Sequence, residues 1–158
     1  HIRNLALDLR PSMLDELGLV PALRWYVGRQ AERAGWTLQF LADEVMTRPS
    51  PEVEISCFRL TQEALTNVAR HAKATVVEVR LEMGRRQLDL IIRDNGIGFD
   101  SNLIRAGARA GTSVGLSGME ERVRLAGGHM VIQSAPSTGT EIRATFPIGP
   151  ESAETDHE

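Results

Sequence analysis

The chain has 158 residues, enough for one ordinary domain with a core of its own. Its single cysteine, Cys57, excludes an internal disulfide and fits a reducing, cytoplasmic location. The 21 acidic and 18 basic residues give a net charge of -3, which argues against a nucleic-acid partner. No apolar run reaches the roughly 20 residues of a membrane helix, so we expect no direct membrane contact.

The first third of the chain predicts two helices and a strand. Ile2, Leu5 and Leu9 recur at helical spacing. The pattern stops at Pro11, which cannot donate a helical hydrogen bond, so this stretch reads as the end of a longer helix. Three elements are then predicted in succession: a connector over 11–21, a helix over 21–34 and a half-buried strand over 36–40.

A further helix is predicted to begin directly after Ser50. Ser50 suits the N-cap, Pro51 suits the first helical position, and acidic residues in the first turn complement the helix dipole. Apolar residues fall on one side of this helix, whereas Glu63, Asn67 and Arg70 fall on the other. The helix therefore has one face for a core and one polar face.

The second half of the chain alternates strands with one helix. Two apolar runs, over 76–83 and 88–94, are joined by a short turn and predict an antiparallel pair. Spacing and turn residues predict the remaining elements: a helix over 116–125, strands over 130–134 and 141–146, and an acidic, disordered tail. The expected fold class is α+β, a two-layer α/β sandwich with helices on one face of a sheet.

The segment Asp94-Asn95-Gly96-Ile97-Gly98-Phe99 follows the second of these strands. A carboxylate followed by two glycines places a fixed acid beside a backbone that another molecule can approach closely. Asp and Asn before Gly are also typical of a tight hairpin turn, which needs a second alternating run directly afterwards. Residues 100–118 contain no such run, which favours a ligand loop and leaves the hairpin as its competitor.

Four polar residues near the end of the helix after Ser50 could serve a phosphate ligand. Glu63 and Asn67 are four residues apart and therefore neighbours, and Arg70 and His71 follow one turn later. An amide oxygen suits Mg²⁺, a carboxylate can orient or deprotonate a nucleophile, and Arg and His can meet phosphate oxygens. A solvated polar face is the alternative interpretation.

Glycines punctuate the segment before the predicted helix over 116–125. Gly111, Gly115 and Gly118, with Thr and Ser between them, lead to a helix start, where backbone N–H groups can hold anions. The chain contains neither GxxxxGK[ST] nor GxGxxG, so a Walker loop and a dinucleotide-binding fingerprint are excluded. Thr140, taken alone, reads as a strand or turn residue.

Four segments occur in the order found in GHKL-type ATPases and kinases. The chain resembles that superfamily in its N box, G1 box, G2 box and last box, which correspond to Glu63–Ala72, Asp94–Phe99, Gly115–Met119 and Gly139–Thr140. Two further segments resemble the catalytic domain of sensor histidine kinases related to the nitrate/nitrite sensors, namely Leu9–Leu19 and Gly118–Val123. The resemblance spans residues 5–148.

The resemblance implies a Bergerat fold, in which helices cover one face of a mixed, mainly antiparallel sheet. ATP then lies between the helices and a mobile lid. Asp94 is expected to accept a hydrogen bond from the adenine amino group. Gly96 and Gly98 are expected to let the base and phosphates approach, and Thr140 to support the adenine site through Asp94 or a water.

The resemblance also implies the residues of the phosphate end, where the expected cofactor is Mg²⁺ bound with ATP. Asn67 is expected to ligate Mg²⁺ and Glu63 to take the position of the polarising acid. Arg70 and His71 are expected near the phosphates. The far end of a short lid over 100–114, with amides towards the phosphates, is expected to comprise Gly115, Leu116 and Gly118.

Three parts of the chain follow from the resemblance: the end of the second dimerisation helix with its connector (1–20), the catalytic domain (21–149) and the tail (150–158). The phosphate-accepting histidine of such kinases lies in an acidic H box, and His1 lacks that context. We therefore expect the chain to bind Mg-ATP without phosphorylating itself. Its expected partners are its own dimerisation domain and a response regulator, in a full-length homodimer that can carry a membrane anchor.

Other functional classes also fit the residues. Glu63 and Asn67 suit water activation, as in a GHKL ATPase, or transfer to serine, as in an anti-sigma-type kinase. A non-catalytic nucleotide-binding module is a third interpretation. The lead-in over Leu9–Leu19 favours the histidine kinase, and the intact Asn67 and Asp94 argue against a vestigial site.

Overall fold

The computed structural model describes residues 12–43, 48–99 and 110–148, with the side chains of 110–115 excepted. The predicted N-terminal helix, residues 100–109 of the predicted lid and the predicted tail lie outside these ranges. The helices are α1 (Ser12–Leu17), α2 (Leu19–Ala34), α3 (Pro51–Asn67) with a π-helical turn (Val68–Ala72), and α4 (Ala110–Leu125). The strands are β1 (Thr37–Ala42), β2 (Val76–Met83), β3 (Gln87–Asp94), β4 (His129–Ser134) and β5 (Thr140–Pro147). Within the described ranges, no helix is long and apolar enough to cross a bilayer.

The strands form one sheet in the order β1-β2-β3-β5-β4. β1 and β2 run parallel, whereas the other three neighbouring pairs are antiparallel. Alternate residues of the central strands, such as Val79, Leu90 and Ala144, are buried in the core. On that face α2 packs on β1 and β2, α3 on β3, and α4 on β4. The predicted two-layer α+β sandwich with a mixed, mainly antiparallel sheet is confirmed.

The opposite face of the sheet carries charged side chains that pair with one another. Arg93 on β3 donates hydrogen bonds to Glu141 at 2.6 Å and to Glu78 at 3.3 Å. Asp89, also on β3, accepts a hydrogen bond of 2.6 Å from the Thr145 hydroxyl. Because successive side chains of a strand point to opposite faces, the outer side of β3 is mainly polar and its inner side is mainly apolar.

The helix predicted over 21–34 begins earlier, at Leu19, and the predicted connector contains α1. Gly18 separates α1 from α2 with a φ of 95°, a conformation that favours glycine. Leu14 and Leu19 are buried in the core. The prediction was wrong here because tertiary packing stabilises a short helix whose own sequence gives only weak helical signals.

Arg48 ties α1 to the start of α3. Its guanidinium contacts the Glu54 carboxylate at 3.0 and 3.2 Å and donates to the carbonyl oxygens of Leu14 and Asp15 at 3.0 and 2.9 Å. Glu54 is only 3 % exposed. Since a buried charge needs a partner, this contact stabilises the packing of α1 on the domain.

The predicted start of α3 is confirmed, and its end has an unexpected form. The Ser50 hydroxyl accepts a hydrogen bond from the Val53 amide at 3.3 Å, and Pro51 takes the first helical position. After Asn67 the helix widens into the π turn, and Lys73 follows in the left-handed region with a φ of 52°. Because a π turn changes the rotation between successive residues, it redirects the side chains at the end of α3.

Candidate functional site

A cavity of about 560 Å³ lies between the end of α3, the inner face of the sheet and α4. It is lined by seven of the residues predicted for the site: Asn67, Arg70, His71, Asp94, Gly98, Leu116 and Thr140. Much of the remaining lining is apolar. A concave, mainly apolar surface with a few polar groups is typical of a small-molecule site.

Three isoleucines on the inner face of the sheet form the floor of this cavity. Ile92 on β3, Ile142 on β5 and Ile132 on β4 are cross-strand neighbours, and all three line the cavity. Such an apolar row offers a surface against which a planar ring can pack. Sequence reasoning missed these residues because they become neighbours only through the pairing of β5 with β3 and with β4.

The next row of the same face is polar. Asp94, Thr140 and Ser134 are cross-strand neighbours on β3, β5 and β4. Asp94 and Thr140 line the cavity, and the hydroxyl oxygens of Thr140 and Ser134 are 2.8 Å apart. A carboxylate and a hydroxyl therefore stand directly beside the isoleucine floor.

Asp94 is 7 % exposed, and burial raises the pKa of its carboxyl above the ordinary value. The amides of Gly96 and Thr140 donate hydrogen bonds to the carboxylate, and these bonds lower its pKa and so partly offset the effect of burial. The Gly96 amide lies 2.8 Å from Oδ1. A carboxylate has about four acceptor positions, so Asp94 can still accept a hydrogen bond from a ligand in the cavity.

The chain leaves Asp94 as a loop, so the hairpin interpretation of this segment is wrong. β3 pairs with β2 and β5, and neither strand follows the loop directly in sequence. The Ile97 amide donates to the Ala72 carbonyl at 2.7 Å, and the Ile97 carbonyl accepts from the Ser137 amide at 2.6 Å. The loop is therefore held between the π turn and the turn that joins β4 to β5.

Gly96 and Gly98 lie against the protein's own backbone. A Cβ at Gly96 would collide with the Ala72 carbonyl, and one at Gly98 would collide with the Ala135 carbonyl. Gly98 also has a φ of 68°. The resemblance implied that these glycines let a base and phosphates approach. The structure shows that the loop itself needs both glycines in order to pack against the Ala72 and Ala135 carbonyls.

Asn95 fixes the base of the loop, a role that the sequence interpretation did not assign. Its side-chain oxygen accepts hydrogen bonds from the amides of Thr75 and Val76, both at 2.9 Å. Its side-chain nitrogen donates to the Thr75 hydroxyl, also at 2.9 Å. The loop is therefore anchored to the start of β2. The available signal was the tendency of Asn to bond nearby backbone in turns.

The predicted polar residues of α3 separate into two groups. Asn67 is half-buried, Arg70 and His71 are exposed on the π turn, and all three line the cavity. Glu63 is half-buried one helical turn earlier and is not part of the cavity lining. Across the described ranges, no group of three His, Cys, Asp or Glu residues could hold a metal ion.

The predicted G2 segment lies inside a helix. Residues 110–114, predicted as part of a loop, belong to α4, which also contains Gly115, Leu116 and Gly118. Each amide inside an α-helix donates to the carbonyl four residues earlier, so the amides of Leu116 and Gly118 are used within the helix. Leu116 lines the cavity, whereas a Cβ at Gly118 would meet no atom within 4 Å.

Comparison with known proteins places this site in a family. Residues 52–150 match the family described as Histidine kinase-, DNA gyrase B-, and HSP90-like ATPase. The chain is 41 % identical over 148 residues to the signal transduction histidine-protein kinase/phosphatase DegS of Brevibacillus brevis, which covers 94 % of this chain and 37 % of that protein. It is 35 % identical over 147 residues to the oxygen sensor histidine kinase NreB of Staphylococcus carnosus. That match covers 93 % of this chain and 41 % of NreB. The chain spans less than half of either relative.

Solved structures share the fold. The histidine kinase domain of the Erythrobacter litoralis blue-light activated histidine kinase matches with a TM-score of 0.67 and 21 % identity over 85 % of this chain and 63 % of that one. The mycobacterial sensor histidine kinase MprB matches with a TM-score of 0.61 and 19 % identity, over 79 % of this chain and 91 % of that one. The resemblance to sensor histidine kinases drawn from the four boxes is confirmed by the sequence relatives.

The two glycines at positions 96 and 118 should respond in opposite ways to alanine. Gly96→Ala forces a Cβ against the Ala72 carbonyl and should destabilise the fold by roughly 1–3 kcal/mol. Gly118→Ala places a methyl group in open space within a helix and should stabilise the fold by up to about 1 kcal/mol. Chemical denaturation of the two variants measures both changes. Equal unfolding midpoints would contradict this packing of the loop and this extent of α4.

Proposed function

Because the chain belongs to the Histidine kinase-, DNA gyrase B-, and HSP90-like ATPase family, we propose that its cavity binds ATP with Mg²⁺ for phosphoryl transfer to a histidine. The acceptor lies on a dimerisation domain outside this chain, and the chain is the catalytic domain of a sensor histidine kinase. One observation carries this proposal most directly. The buried Asp94 carboxylate adjoins the isoleucine floor in a cavity that Arg70 and His71 also line.

The base end of the site is the isoleucine floor with its polar edge. An adenine ring packed on the floor can donate a hydrogen bond from its amino group to Asp94. A carboxylate accepts hydrogen bonds and donates none when ionised, so it favours an amino group over a carbonyl at this position of the base. The two backbone amides that bond Asp94 hold the carboxylate in place for this contact.

The phosphate end of the site is the π turn. Arg70 can donate two parallel hydrogen bonds to phosphate oxygens, and His71 stands next to it on the cavity wall. Mg²⁺ prefers oxygen ligands and is held by one or two protein groups together with phosphates and waters. The Asn67 amide oxygen fits that donor set as the protein ligand. The ion would neutralise phosphate charge, and the nucleotide would supply most of its other ligands.

The glycines of α4 allow the start of this helix to unwind when phosphates bind. The amides of Leu116 and Gly118 can face a nucleotide only if the first turns of α4 unwind. Glycine is a poor helix former, and Gly111, Gly115 and Gly118 therefore lower the cost of unwinding. Freed amides at the new helix start would then stabilise negative charge.

The transfer step needs a group outside this chain. The bond between the γ-phosphorus and the β–γ bridging oxygen breaks, a bond forms between phosphorus and an imidazole nitrogen, and ADP leaves. Glu63 would accept a hydrogen bond from the other imidazole nitrogen of the acceptor histidine. Its position one turn before Asn67, outside the cavity lining, suits a residue that meets the acceptor rather than the nucleotide.

The partners and location belong to the whole protein. We propose that residues 1–20 connect a dimerisation domain to the catalytic domain over 21–149, and that 150–158 form a tail. The full-length protein would be a cytoplasmic or membrane-anchored homodimer that passes its phosphoryl group to a response regulator. The names of the relatives, a histidine-protein kinase/phosphatase and an oxygen sensor histidine kinase, support this arrangement.

Loss of the Asp94 carboxylate should abolish ATP binding. Asp94→Asn places an amide that can donate where the adenine amino group needs an acceptor, so the dissociation constant for Mg-ATP should rise by a factor of 100 or more, about 3 kcal/mol. Asp89→Asn, on the same strand but on the outer face of the sheet, should bind normally. Isothermal titration calorimetry measures both constants. Equal affinities in the two variants would contradict the assignment of the base end.

The same carboxylate should make ATP binding sensitive to acid. Asp94 must be ionised to accept the amino group, and burial raises its pKa. ATP affinity should therefore fall as the pH drops through this raised value, at a higher pH than an ordinary aspartate would require. Titrations across the acidic range measure this fall, and the control variant Asp89→Asn should show the same fall. An affinity that stays constant until the pH range of an ordinary aspartate would contradict this prediction.

Loss of the Glu63 carboxylate should separate binding from transfer. In a chain extended to include both dimerisation helices, Glu63→Gln should retain its ATP affinity and lose phosphoryl transfer by on the order of 100-fold or more. Glu52→Gln, an exposed acid at the start of the same helix, should behave as the unaltered protein. Incorporation of radiolabelled γ-phosphate measures transfer. A normal transfer rate in Glu63→Gln would show that another group polarises the histidine.

A further inference from the structure

Two positions near the start of the chain are candidates for a joint between the catalytic domain and the proposed dimerisation helices. Pro11 lacks an amide hydrogen and disfavours a helix through the residue before it. Gly18 separates α1 from α2 with a φ of 95°, and glycine can change its backbone angles at little steric cost. A joint at Pro11 would leave α1 with the catalytic domain, whereas a joint at Gly18 would leave α1 with the dimerisation helices.

The buried side of α1 belongs to the core of the catalytic domain. Leu14 is 1 % exposed and belongs to the same apolar cluster as Leu19 on α2 and Phe58 on α3. Backbone hydrogen bonds also continue across Gly18. Its amide donates to the Leu14 carbonyl at 3.1 Å, and its carbonyl accepts from the Ala22 amide at 3.3 Å. Apolar packing and backbone bonding therefore both oppose movement of α1 about Gly18.

Arg48 and Glu54 form a polar clamp directly beside Gly18. A Cβ on Gly18 would lie 3.7 Å from a Glu54 carboxylate oxygen and 3.8 Å from Arg48 Nε. The Arg48 guanidinium bonds this carboxylate and also donates to the carbonyl oxygens of Leu14 and Asp15. Those two carbonyls belong to the last turn of α1, where a helix leaves its carbonyls without partners inside the helix. The clamp therefore bonds the end of α1 to the start of α3.

The burial of Glu54 explains why Arg48 stays in this position. The Glu54 carboxylate is buried among the first turns of α3, and Arg48 reaches it from the exposed side. Loss of the arginine would leave a buried charge without its partner, which is strongly unfavourable. Because Glu54 holds the guanidinium, the remaining donors of the same group stay directed at the α1 carbonyls. The clamp is therefore a fixed contact and does not depend on a mobile surface side chain.

We infer that the catalytic domain turns relative to the dimerisation helices upstream of Ser12, and that the Arg48–Glu54 clamp prevents Gly18 from acting as a second joint. The inference rests on the proposed function, since it concerns the link to the acceptor histidine. It also refines the proposed connector over 1–20, because residues 12–17 then move with the catalytic domain. A shorter flexible link keeps the nucleotide at a higher effective concentration near the acceptor.

Amide hydrogen exchange of the 158-residue chain tests the clamp itself. The amides of Gly18 and Gly35 each donate to the carbonyl four residues earlier, and they mark opposite ends of α2. The double variant Arg48→Ala/Glu54→Gln removes the clamp and leaves no buried charge unpaired. Exchange of the Gly18 amide should then speed up roughly tenfold, the effect of losing hydrogen bonds to a charged group. Exchange of the Gly35 amide should not change.

Two further variants make the exchange experiment decisive. Arg48→Lys keeps a positive charge beside Glu54, so the fold is retained, but an ammonium lacks the planar set of donors that reaches the α1 carbonyls. Gly18 exchange should therefore speed up here too, by roughly threefold. Arg124→Ala removes an exposed arginine that pairs with Glu121 on α4, and it should leave Gly18 exchange unchanged. Unchanged Gly18 exchange in both clamp variants, or equal acceleration at both glycines, would overturn the inference.

Phosphoryl transfer in a chain extended to include both dimerisation helices tests the consequence of the clamp. The double variant lengthens the flexible link by α1, so transfer should fall roughly fivefold. The dissociation constant for Mg-ATP should not change, because neither Arg48 nor Glu54 lines the cavity. If Gly18 were the working joint, a freed α1 would leave transfer equal or faster, and that result would overturn the inference. Absence of ATP binding to the unaltered chain would instead overturn the proposed function, and Gly18 exchange would still decide whether the clamp holds α1.

Discussion

The site depends on a loop that is wedged between two other parts of the same chain. On one side, the Ile97 amide of the loop donates a hydrogen bond of 2.7 Å to the Ala72 carbonyl of the π turn. On the other side, the Ala135 carbonyl packs against Gly98. Neither approach leaves room for a Cβ at Gly96 or Gly98. The Asp94 carboxylate is therefore held in position by packing before any ligand arrives, which lowers the cost of ordering the site on binding.

Elements with strong local signals could be predicted from the sequence. The Ser50 cap and the alternation along β2 and β3 each act over a few residues, and these elements formed as expected. The early start of α2 at Leu19 and of α4 at Ala110 could not be predicted in this way. The start of α2 depends on packing against the rest of the domain. The start of α4 forms despite the low helical tendency of its glycines, and neither effect can be predicted from a few neighbouring residues.

The candidate site was predicted where one segment carries the signal and missed where two segments must meet. The residues of the N and G1 boxes that line the cavity were predicted from their order along the chain. The isoleucine floor and Ser134 depend on which residue of β5 faces which residue of β3 and β4. A shift of one residue in either pairing would turn these side chains to the other face, so the register decides the site.

The position of the base on the isoleucine floor is tested most directly by NMR of the methyl-labelled chain saturated with ADP and Mg²⁺. Nuclear Overhauser effects should connect the adenine protons to the methyl groups of Ile92, Ile132 and Ile142, which line the cavity. Ile91, on the outer face of the same sheet, should show none. A bound nucleotide whose adenine contacts only other methyl groups, or none of these three, would contradict the proposed site.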